Sequence, residues 1–276
     1  MADSSLQSTP FLIEPSELRF RDKEVLLIDC RHEGQYADGH IPGAIHLSTY
    51  NLFVRSTSQI GLSRFQRSME TIYRDAGVEP TRPVVVYEDQ ISVRAARECW
   101  LLQYLGHPSV RLLNGGLQAW RVGGGPVTTV ESVCVPSPFS PEPQDQLVIG
   151  VRGVLAQAGL SDFSLLDVRT QDEFTGAGGT PCCPRQGRIP GANWLEWSTF
   201  VDRDTGCFKT VEAIQSLLQS RDIHPQKEIS VYCHRGARSS IVYYALKLAG
   251  YPNVRNFIGS WHEWSARNDL PIETGV

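Results

Sequence analysis

The stretch LLIDCR at Leu26–Arg31 decides the fold, because a close copy of it, LLDVR, stands at Leu165–Arg169. GHIPGA at Gly39–Ala44 follows the first stretch, and GRIPGA at Gly187–Ala192 follows the second. Three later pairs recur in the same order: Pro83–Tyr87 with Glu228–Tyr232, Leu105–Pro108 with Ala249–Pro252, and Gly115–Trp120 with Gly259–Trp264. Ordered self-similarity across 276 residues indicates two tandem copies of one domain.

Each copy alternates short, β-rich apolar runs with amphipathic stretches, which is typical of a mainly parallel sheet flanked by helices. After Tyr232 the pattern predicts a tight loop and a helix, with Ser239 or Ser240 capping its start and Gly250 ending it. A crossing rich in Gly and Pro separates the copies. We therefore predict an α/β protein with an N-terminal domain over residues 1–130, a Pro-rich linker over 131–145 and a C-terminal domain over 146–276.

Composition and charge exclude several classes of protein. Hydrophobic residues make up 41% and charged residues 20%, as in globular proteins. A formal charge of −4 gives no general attraction for nucleic acid or for an acidic membrane, so neither is expected as a partner. No apolar run reaches the roughly 18 residues of a spanning helix, and the polar first ten residues do not resemble a signal or transit peptide. We expect a cytoplasmic protein.

The cysteines give no sign of a disulfide framework or of a metal centre. Their number, seven, is odd, and no Cys-x-x-Cys pair or zinc-finger spacing of Cys and His occurs. Cys182 and Cys183 are adjacent and could pair only with strain, so we expect two free thiols there. We predict no metal and no organic cofactor.

The segment CHRGARS at Cys233–Ser239 joins a predicted strand to a predicted helix. Such a loop directs free backbone N–H groups and the positive end of the helix dipole inward, which makes an anion cradle. Arg235 and Arg238 add positive charge. A cysteine at the base of this cradle should have a lowered pKa and act as a nucleophile, whereas an isolated Cys at a strand end is often only a buried structural residue. The adjoining arginines favour the nucleophile.

Together, the repeated Asp-x-Arg and Gly-x-Ile-Pro-Gly-Ala segments, the Cys-x-x-Gly-x-Arg-Ser loop and the segment from Trp264 to Glu273 resemble the tandem-domain rhodanese sulfurtransferases. The resemblance extends from about Glu14 to Gly275. It implies two tandem rhodanese-like α/β domains, a catalytic C-terminal copy, and a cysteine that carries a sulfane sulfur as a persulfide to a thiophilic acceptor such as cyanide or a thiol. Cys233 matches that cysteine.

Sulfur transfer from thiosulfate needs a thiolate, positive groups that hold the departing sulfite, and donors that stabilise the persulfide. Arg235 and Arg238 can supply the charge, and the loop N–H groups can supply the donors. Ser239 either adds its hydroxyl or caps the helix, and His234 either acts as a base or points away from Cys233. The predicted substrate-binding residues are His234, Arg235, Gly236, Ala237, Arg238, Ser239, Arg185 and Arg188.

The donor is expected to be thiosulfate rather than 3-mercaptopyruvate. In the family that the chain resembles, thiosulfate-type loops carry cationic side chains after the cysteine, whereas mercaptopyruvate-type loops carry small neutral ones. Thiosulfate concentrates its charge near the reacting sulfur, so Arg235 and Arg238 should favour it. Glu173 stands where tandem relatives usually have a substrate-binding arginine, and a carboxylate there would repel either anion. Arg185 or Arg188 could compensate for that charge.

Two other functions remain open. One is a non-catalytic rhodanese-type docking module, which the intact loop disfavours. The other is a cysteine-loop phosphatase, which needs Cys-x5-Arg, whereas only four residues separate Cys233 from Arg238.

The N-terminal copy is predicted to be catalytically silent. Aligning Tyr87 with Tyr232 places Glu88 at the position of Cys233, and a carboxylate cannot form a persulfide. This copy would lend residues such as Arg94 to one wall of a cleft. The Asp-x-Arg pairs of both copies are interpreted as structural ion pairs.

Overall fold

The computed structural model describes residues 11–21 and 24–275. The N-terminal half contains β1 (Leu12–Ile13), α1 (Pro15–Leu18), β2 (Leu26–Asp29), α2 (Glu33–Ala37), β3 (Ile45–His46), α3 (Gln59–Asp75), β4 (Val84–Tyr87), α4 (Val93–Tyr104), β5 (Val110–Leu113) and α5 (Gly116–Val122). The C-terminal half contains α6 (Val151–Gln157), β6 (Phe163–Asp167), α7 (Gln171–Thr175), β7 (Asn193–Trp194), α8 (Val211–Gln219), β8 (Glu228–Tyr232), α9 (Ala237–Leu248), β9 (Val254–Asn256) and α10 (Ser260–Ser265).

The strands form two separate sheets, one in each half. The order is β1-β5-β4-β2-β3 in the first sheet and β7-β6-β8-β9 in the second, and all pairings between these strands are parallel. β4 and β8 therefore lie inside their sheets, which agrees with their buried, apolar sequences. The predicted α/β fold with two parallel sheets is confirmed.

The repeated sequence segments meet in space, which explains why they recur together. In the C-terminal half, Arg169 pairs with Asp167 at 2.5 Å and donates to the Gly187 carbonyl at 2.7 Å. The Tyr232 hydroxyl accepts the Ile189 N–H at 3.1 Å, so strand β8 is tied to the same turn. Equivalent contacts in the N-terminal half join Arg31, Asp29, Gly39, Tyr87 and Ile41. The predicted structural ion pairs are therefore confirmed as buried links between the first strand of each repeat and its Ile-Pro-Gly turn.

The two halves share the largest hydrophobic cluster of the described residues, and each half also has a smaller cluster of its own. The shared cluster contains residues of both sheets, and helices α4 and α9 pack against each other within it. Trp100 on α4 lies edge-on to Tyr243 on α9, and the Tyr244 hydroxyl donates to Gln103 Oε1 at 2.9 Å. Because α9 begins at the Cys233 loop, this packing fixes the loop relative to the N-terminal half.

The segment between α5 and a 3-10 turn at Asp145–Leu147 packs on the N-terminal half. Thr128 pairs with His40, and the buried Phe139 ring contacts Tyr73 edge-on. The predicted limits of the linker and of both domains stay predictions. None of the helices in the described part of the chain combines the length and the apolar character that a membrane span requires. The first ten residues lie outside the described part of the chain.

Candidate active site around Cys233

The loop from Cys233 to Gly236 joins β8 to α9, as predicted. Gly236 occupies the N-cap position with φ of 84°, a left-handed conformation that favours glycine. A Cβ there would lie 3.0 Å from the Ile258 carbonyl oxygen. The expectation that Ser239 or Ser240 caps the helix is wrong, because both lie inside its first turn. The helix ends at Leu248, just before Gly250 with φ of 87°, so the predicted stop is confirmed.

Cys233 lies at the base of the loop, with 1% of its surface exposed. Burial raises the pKa of its thiol, but the charge of Arg238, the Ser239 hydroxyl and the backbone N–H groups of Ser239 and Arg235 outweigh burial and lower it. The Ser239 hydroxyl lies 3.6 Å from Sγ and 2.8 Å from Asn256 Oδ1, so its one proton can serve either acceptor. The surroundings favour the thiolate, the form needed for nucleophilic attack.

The start of α10 holds the cysteine in place. The Cys233 N–H donates to Ser260 Oγ at 3.2 Å, and the Cys233 carbonyl accepts the Trp261 N–H at 3.0 Å. The next carbonyl, of His234, accepts the His262 N–H at 3.0 Å. Ser260 has φ of 53°, a conformation uncommon for a residue other than glycine. Sequence reasoning missed this support, although the paired Gly115–Trp120 and Gly259–Trp264 segments marked the region.

Arg238 and Glu173 form a bidentate ion pair beside the thiol. The two terminal guanidinium nitrogens of Arg238 donate to the carboxylate of Glu173 at 2.6 and 2.9 Å. Burial raises the pKa of Glu173, but its bonds with Arg238 outweigh burial and bring the pKa to about 2. Glu173 is therefore no free negative charge facing the substrate, as the sequence suggested, because it is neutralised while it orients Arg238.

Arg235 and His234 both contact Cys182, which lies in residues 176–186, the inserted segment that lengthens the C-terminal copy before its Ile-Pro-Gly turn. The Arg235 guanidinium lies 3.0 Å from Cys182 Sγ and 4.1 Å above the Phe53 ring. His234 Nε2 lies 3.3 Å from the same sulfur. Burial, then the charges of Arg235 and Arg238, lower the pKa of His234 to about 4, so its imidazole is neutral near pH 7. Its ring contact is with Cys182 and not with the Cys233 thiol.

The structure does not bring Arg185 or Arg188 to the loop, contrary to the expectation from sequence. Arg185 donates to the backbone carbonyls of Ser265, Leu270 and Trp264 at 2.8 to 2.9 Å. Arg188 pairs with Glu273 at 3.3 Å and donates to the Gly275 carbonyl. Their guanidinium groups hold the C-terminal segment in place through hydrogen bonds. The acceptors are backbone carbonyls of that segment, which composition and motif spacing do not reveal.

The cysteine opens into a cavity of about 390 Å³ between the two halves. The C-terminal half contributes Cys233, His234, Arg235, Ala237, Arg238 and Trp197, and the N-terminal half contributes Tyr50, Asn51 and Val93. Arg94 itself turns to Ser48, at 3.2 Å from its hydroxyl, and to the Tyr50 ring. A wall from the N-terminal half is present, but Val93 and the segment before Phe53 form it rather than Arg94.

The equivalent cradle in the N-terminal half holds its own carboxylate. Glu88 accepts the backbone N–H groups of Arg94 and Ala95 at 2.8 and 3.0 Å. Burial raises the pKa of Glu88 to about 7 despite these bonds. Burial also raises the pKa of Cys30, and that of Cys99 to about 12. These contacts support the prediction that this half is silent, which stays a prediction.

The architecture and the site define a class: two-domain α/β proteins with a cysteine at the base of an anion cradle between a strand and a helix. The profile of the rhodanese-like domain matches residues 16–122 and 154–267, so the chain belongs to the rhodanese family. The prediction of two rhodanese domains is confirmed.

Sequence alignments with named relatives extend over nearly the whole chain. It is 31% identical to a thiosulfate sulfurtransferase of Azotobacter vinelandii, across 96% of this chain and 98% of the relative. It is 32% identical to a probable 3-mercaptopyruvate sulfurtransferase of Pseudomonas aeruginosa, across 93% and 95%. The predicted rhodanese-type sulfurtransferase is thereby confirmed, and neither the docking module nor the phosphatase is favoured.

A solved structure has the same fold. The anaerobic ergothioneine biosynthesis enzyme from Chlorobium limicola superposes with a TM-score of 0.86, over 96% of this chain and 70% of that one. At 22% identity the likeness concerns the fold alone.

Proposed function

We propose that Cys233 carries the sulfur in this sulfurtransferase and that thiosulfate is the preferred donor. The observation that carries the proposal is the position of the thiol: it lies at the base of the N–H cradle, beside Arg238, with a lowered pKa. Surroundings that favour the thiolate and donors already aimed at it are the two features that persulfide chemistry needs.

In the proposed step, the Cys233 thiolate attacks the outer sulfur of thiosulfate. A new S–S bond forms to Cys233, and the S–S bond of thiosulfate breaks with its electron pair leaving on sulfite. No proton moves, because a thiolate and a dianion become a persulfide anion and a sulfite dianion. The backbone N–H groups of Arg235 and Ser239 then hold the persulfide. A thiophilic acceptor, such as cyanide or a thiol, takes the outer sulfur and restores the thiolate.

The charges around the cavity support thiosulfate over 3-mercaptopyruvate. Arg235 and Arg238 line the cavity together with Cys233. Glu173 neutralises part of the charge of Arg238, so we expect donor binding to be weak and Arg235 to carry more of it. A cavity of about 390 Å³ also leaves room for an acceptor larger than cyanide.

The mass of the intact protein after incubation with thiosulfate tests the sulfur carrier. We expect a gain of one sulfur atom that is lost on treatment with cyanide. Cys233→Ser should gain none, although Cys30, Cys99 and Glu88 of the N-terminal half are unchanged. Sulfur loading of the Cys233→Ser protein would contradict the assigned carrier, and loading located at Cys30 or Cys99 would also contradict the silence of the N-terminal half.

Steady-state formation of thiocyanate and pyruvate tests the donor. We expect a higher kcat/KM for thiosulfate than for 3-mercaptopyruvate. Arg235→Ala should reduce the thiosulfate value more, by about 1 to 3 kcal/mol in transition-state stabilisation for a lost charge-assisted contact. Arg203→Ala, which removes an exposed arginine of the same domain, is the control. A preference of the unmodified enzyme for mercaptopyruvate would overturn the donor assignment and leave Cys233 as carrier.

A cytoplasmic location is part of the proposal. All seven cysteines are free thiols, which suits a reducing compartment. Cell fractionation tests this location, and finding the protein in the periplasmic or extracellular fraction would contradict it.

A further inference from the structure

The inserted segment brings two thiols to the imidazole of His234. The Sγ atoms of Cys182 and Cys183 and a ring nitrogen of His234 all lie within 4.8 Å of one another. In a three-coordinate site with bonds of about 2.3 Å the ligand atoms lie about 4 Å apart, so side-chain shifts of less than about 1 Å let all three bind one metal ion. The sulfur of Cys182 and Nε2 of His234 are already 3.3 Å apart.

The surroundings suit the binding of an ion. Cys182 is exposed and gives access from solvent, whereas Cys183 is buried and shields the other side. His234 contributes a ring nitrogen, and imidazole is a common metal ligand. These ligands come from two distant parts of the chain, which is why the sequence shows no metal-ligand spacing.

The charges decide which ion fits. Arg235 lies 3.0 Å from Cys182 Sγ. Positive charge disfavours a divalent cation, whereas two thiolates with a monovalent ion form a complex of charge −1 that Arg235 stabilises. Two sulfurs and one nitrogen are also the soft ligand set that selects copper(I) over harder ions.

We propose that Cys182, Cys183 and His234 form a three-coordinate site for a soft monovalent metal ion, and that this ion is copper(I). Binding forms two metal–sulfur bonds and one metal–nitrogen bond, and each thiol releases its proton to solvent. No oxidation or reduction is involved, since the ion arrives as copper(I). His234 and Arg235 also line the cavity of Cys233, but the binding of copper(I) does not depend on the proposed function.

The test is anaerobic titration with copper(I) against a coloured copper(I) chelator, in a Cys233→Ser parent that removes the competing nucleophile. We expect one equivalent to bind, with a near-ultraviolet thiolate-to-copper absorption. Cys182→Ser and His234→Asn should each weaken binding at least about tenfold. Cys134→Ser removes another exposed thiol and is the matched control, which should bind like the parent.

The variants also separate this site from less specific thiol binding. Cys182 is exposed and its replacement should leave the thermal unfolding temperature unchanged, so lost binding would not reflect misfolding. Equal binding by the parent and Cys182→Ser, or equal losses in Cys182→Ser and Cys134→Ser, would overturn the site. Binding of zinc(II) as tightly as copper(I) would overturn the choice of a monovalent ion.

Discussion

At the scale of single residues, the ion pair of Arg238 with Glu173 contributes both to stability and to the state of the thiol. Arg238→Gln leaves a mostly buried carboxylate without its positive partner, although Thr170 still donates to it, and should lower the free energy of unfolding by about 3 kcal/mol. It should also raise the pKa of Cys233, because the positive charge that does most to lower this pKa is lost. Denaturant unfolding measures the first effect, and the pH dependence of alkylation by iodoacetamide measures the second.

The double variant Arg238→Gln with Glu173→Gln is the control for this pair. It removes both charges, so stability should recover much of the loss while the pKa of Cys233 stays high. Equal stability of the single and double variants would show that the pair is not coupled.

Glu88 gives the N-terminal half a dependence of stability on pH. Its carboxyl pKa is raised in the folded state to about 7, so its contribution is fully present below about 4.5 and is lost as pH rises through 7. The loss corresponds to roughly 3 kcal/mol. Glu88→Gln stays neutral, so it should be more stable than the parent at pH 8.5 and similar at pH 4.5.

Urea unfolding at several pH values between 4.5 and 8.5 checks this prediction. Glu212→Gln, which changes an exposed carboxylate, should follow the parent at every pH. If the stability of Glu88→Gln varied with pH in the same way as that of the parent, another group would be the cause of the pH dependence.

Sequence reasoning found the residues whose chemistry depends on neighbours in the chain. Cys233, Arg238 and the loop N–H groups were predictable, because a strand, a short loop and a helix bring them together within seven positions. The roles of Arg185 and Glu173 were not predictable. Each depends on a distant partner, the carbonyls near Leu270 for one and Arg238 for the other.

At the scale of elements, the turn at Gly236 decides whether α9 aims its N-terminus at Cys233. Gly236→Ala should strain the left-handed turn by about 1 to 2 kcal/mol and crowd Ile258, which moves the cradle. We expect lower stability, slower sulfur loading and a higher pKa of Cys233. Gly250→Ala is the matched control, because its φ of 87° gives similar strain with nothing within 4 Å and no contact with the loop.

Sulfur-loading rates and unfolding free energies of the two variants check this prediction. Equal loading by Gly236→Ala and Gly250→Ala would show that the turn does not set the cradle.

The strand–loop–helix order around Cys233 was predictable from apolar spacing, but the capping residue was not. Serine is a preferred cap, yet the short loop forces the left-handed conformation one residue earlier, where glycine fits. Ser239 then lies within the helix and turns to Cys233 and Asn256.

At the scale of the whole molecule, the N-terminal half lines the cavity of Cys233, the proposed nucleophile, which belongs to the other half. Tyr50, Asn51 and Phe53 lie in an irregular segment after β3 with no motif, so sequence gave no reason to select them. The N-terminal half does contribute one wall of the cleft, as predicted, because two domains that pack against each other share a boundary. Which side chains form it depends on how α4 and α9 pack, which periodicity does not specify.

Phe53 offers the sharpest test of that shared site. Its ring lies 4.1 Å below the Arg235 guanidinium and packs edge-on against His262, so it holds the cation at the cavity from across the boundary. Phe53→Ala should weaken this cation–π contact by about 1 to 2 kcal/mol, roughly a 5- to 30-fold loss in kcat/KM for thiosulfate, chiefly through KM. Leu52→Ala, at the neighbouring exposed position, should change little.

The Phe53→Ala effect should vanish in an Arg235→Ala background, because the ring acts on the anion only through that guanidinium. Steady-state kinetics of the two single variants and the double variant measure this coupling, and additive losses would mean that Phe53 contributes to the cavity by shape alone.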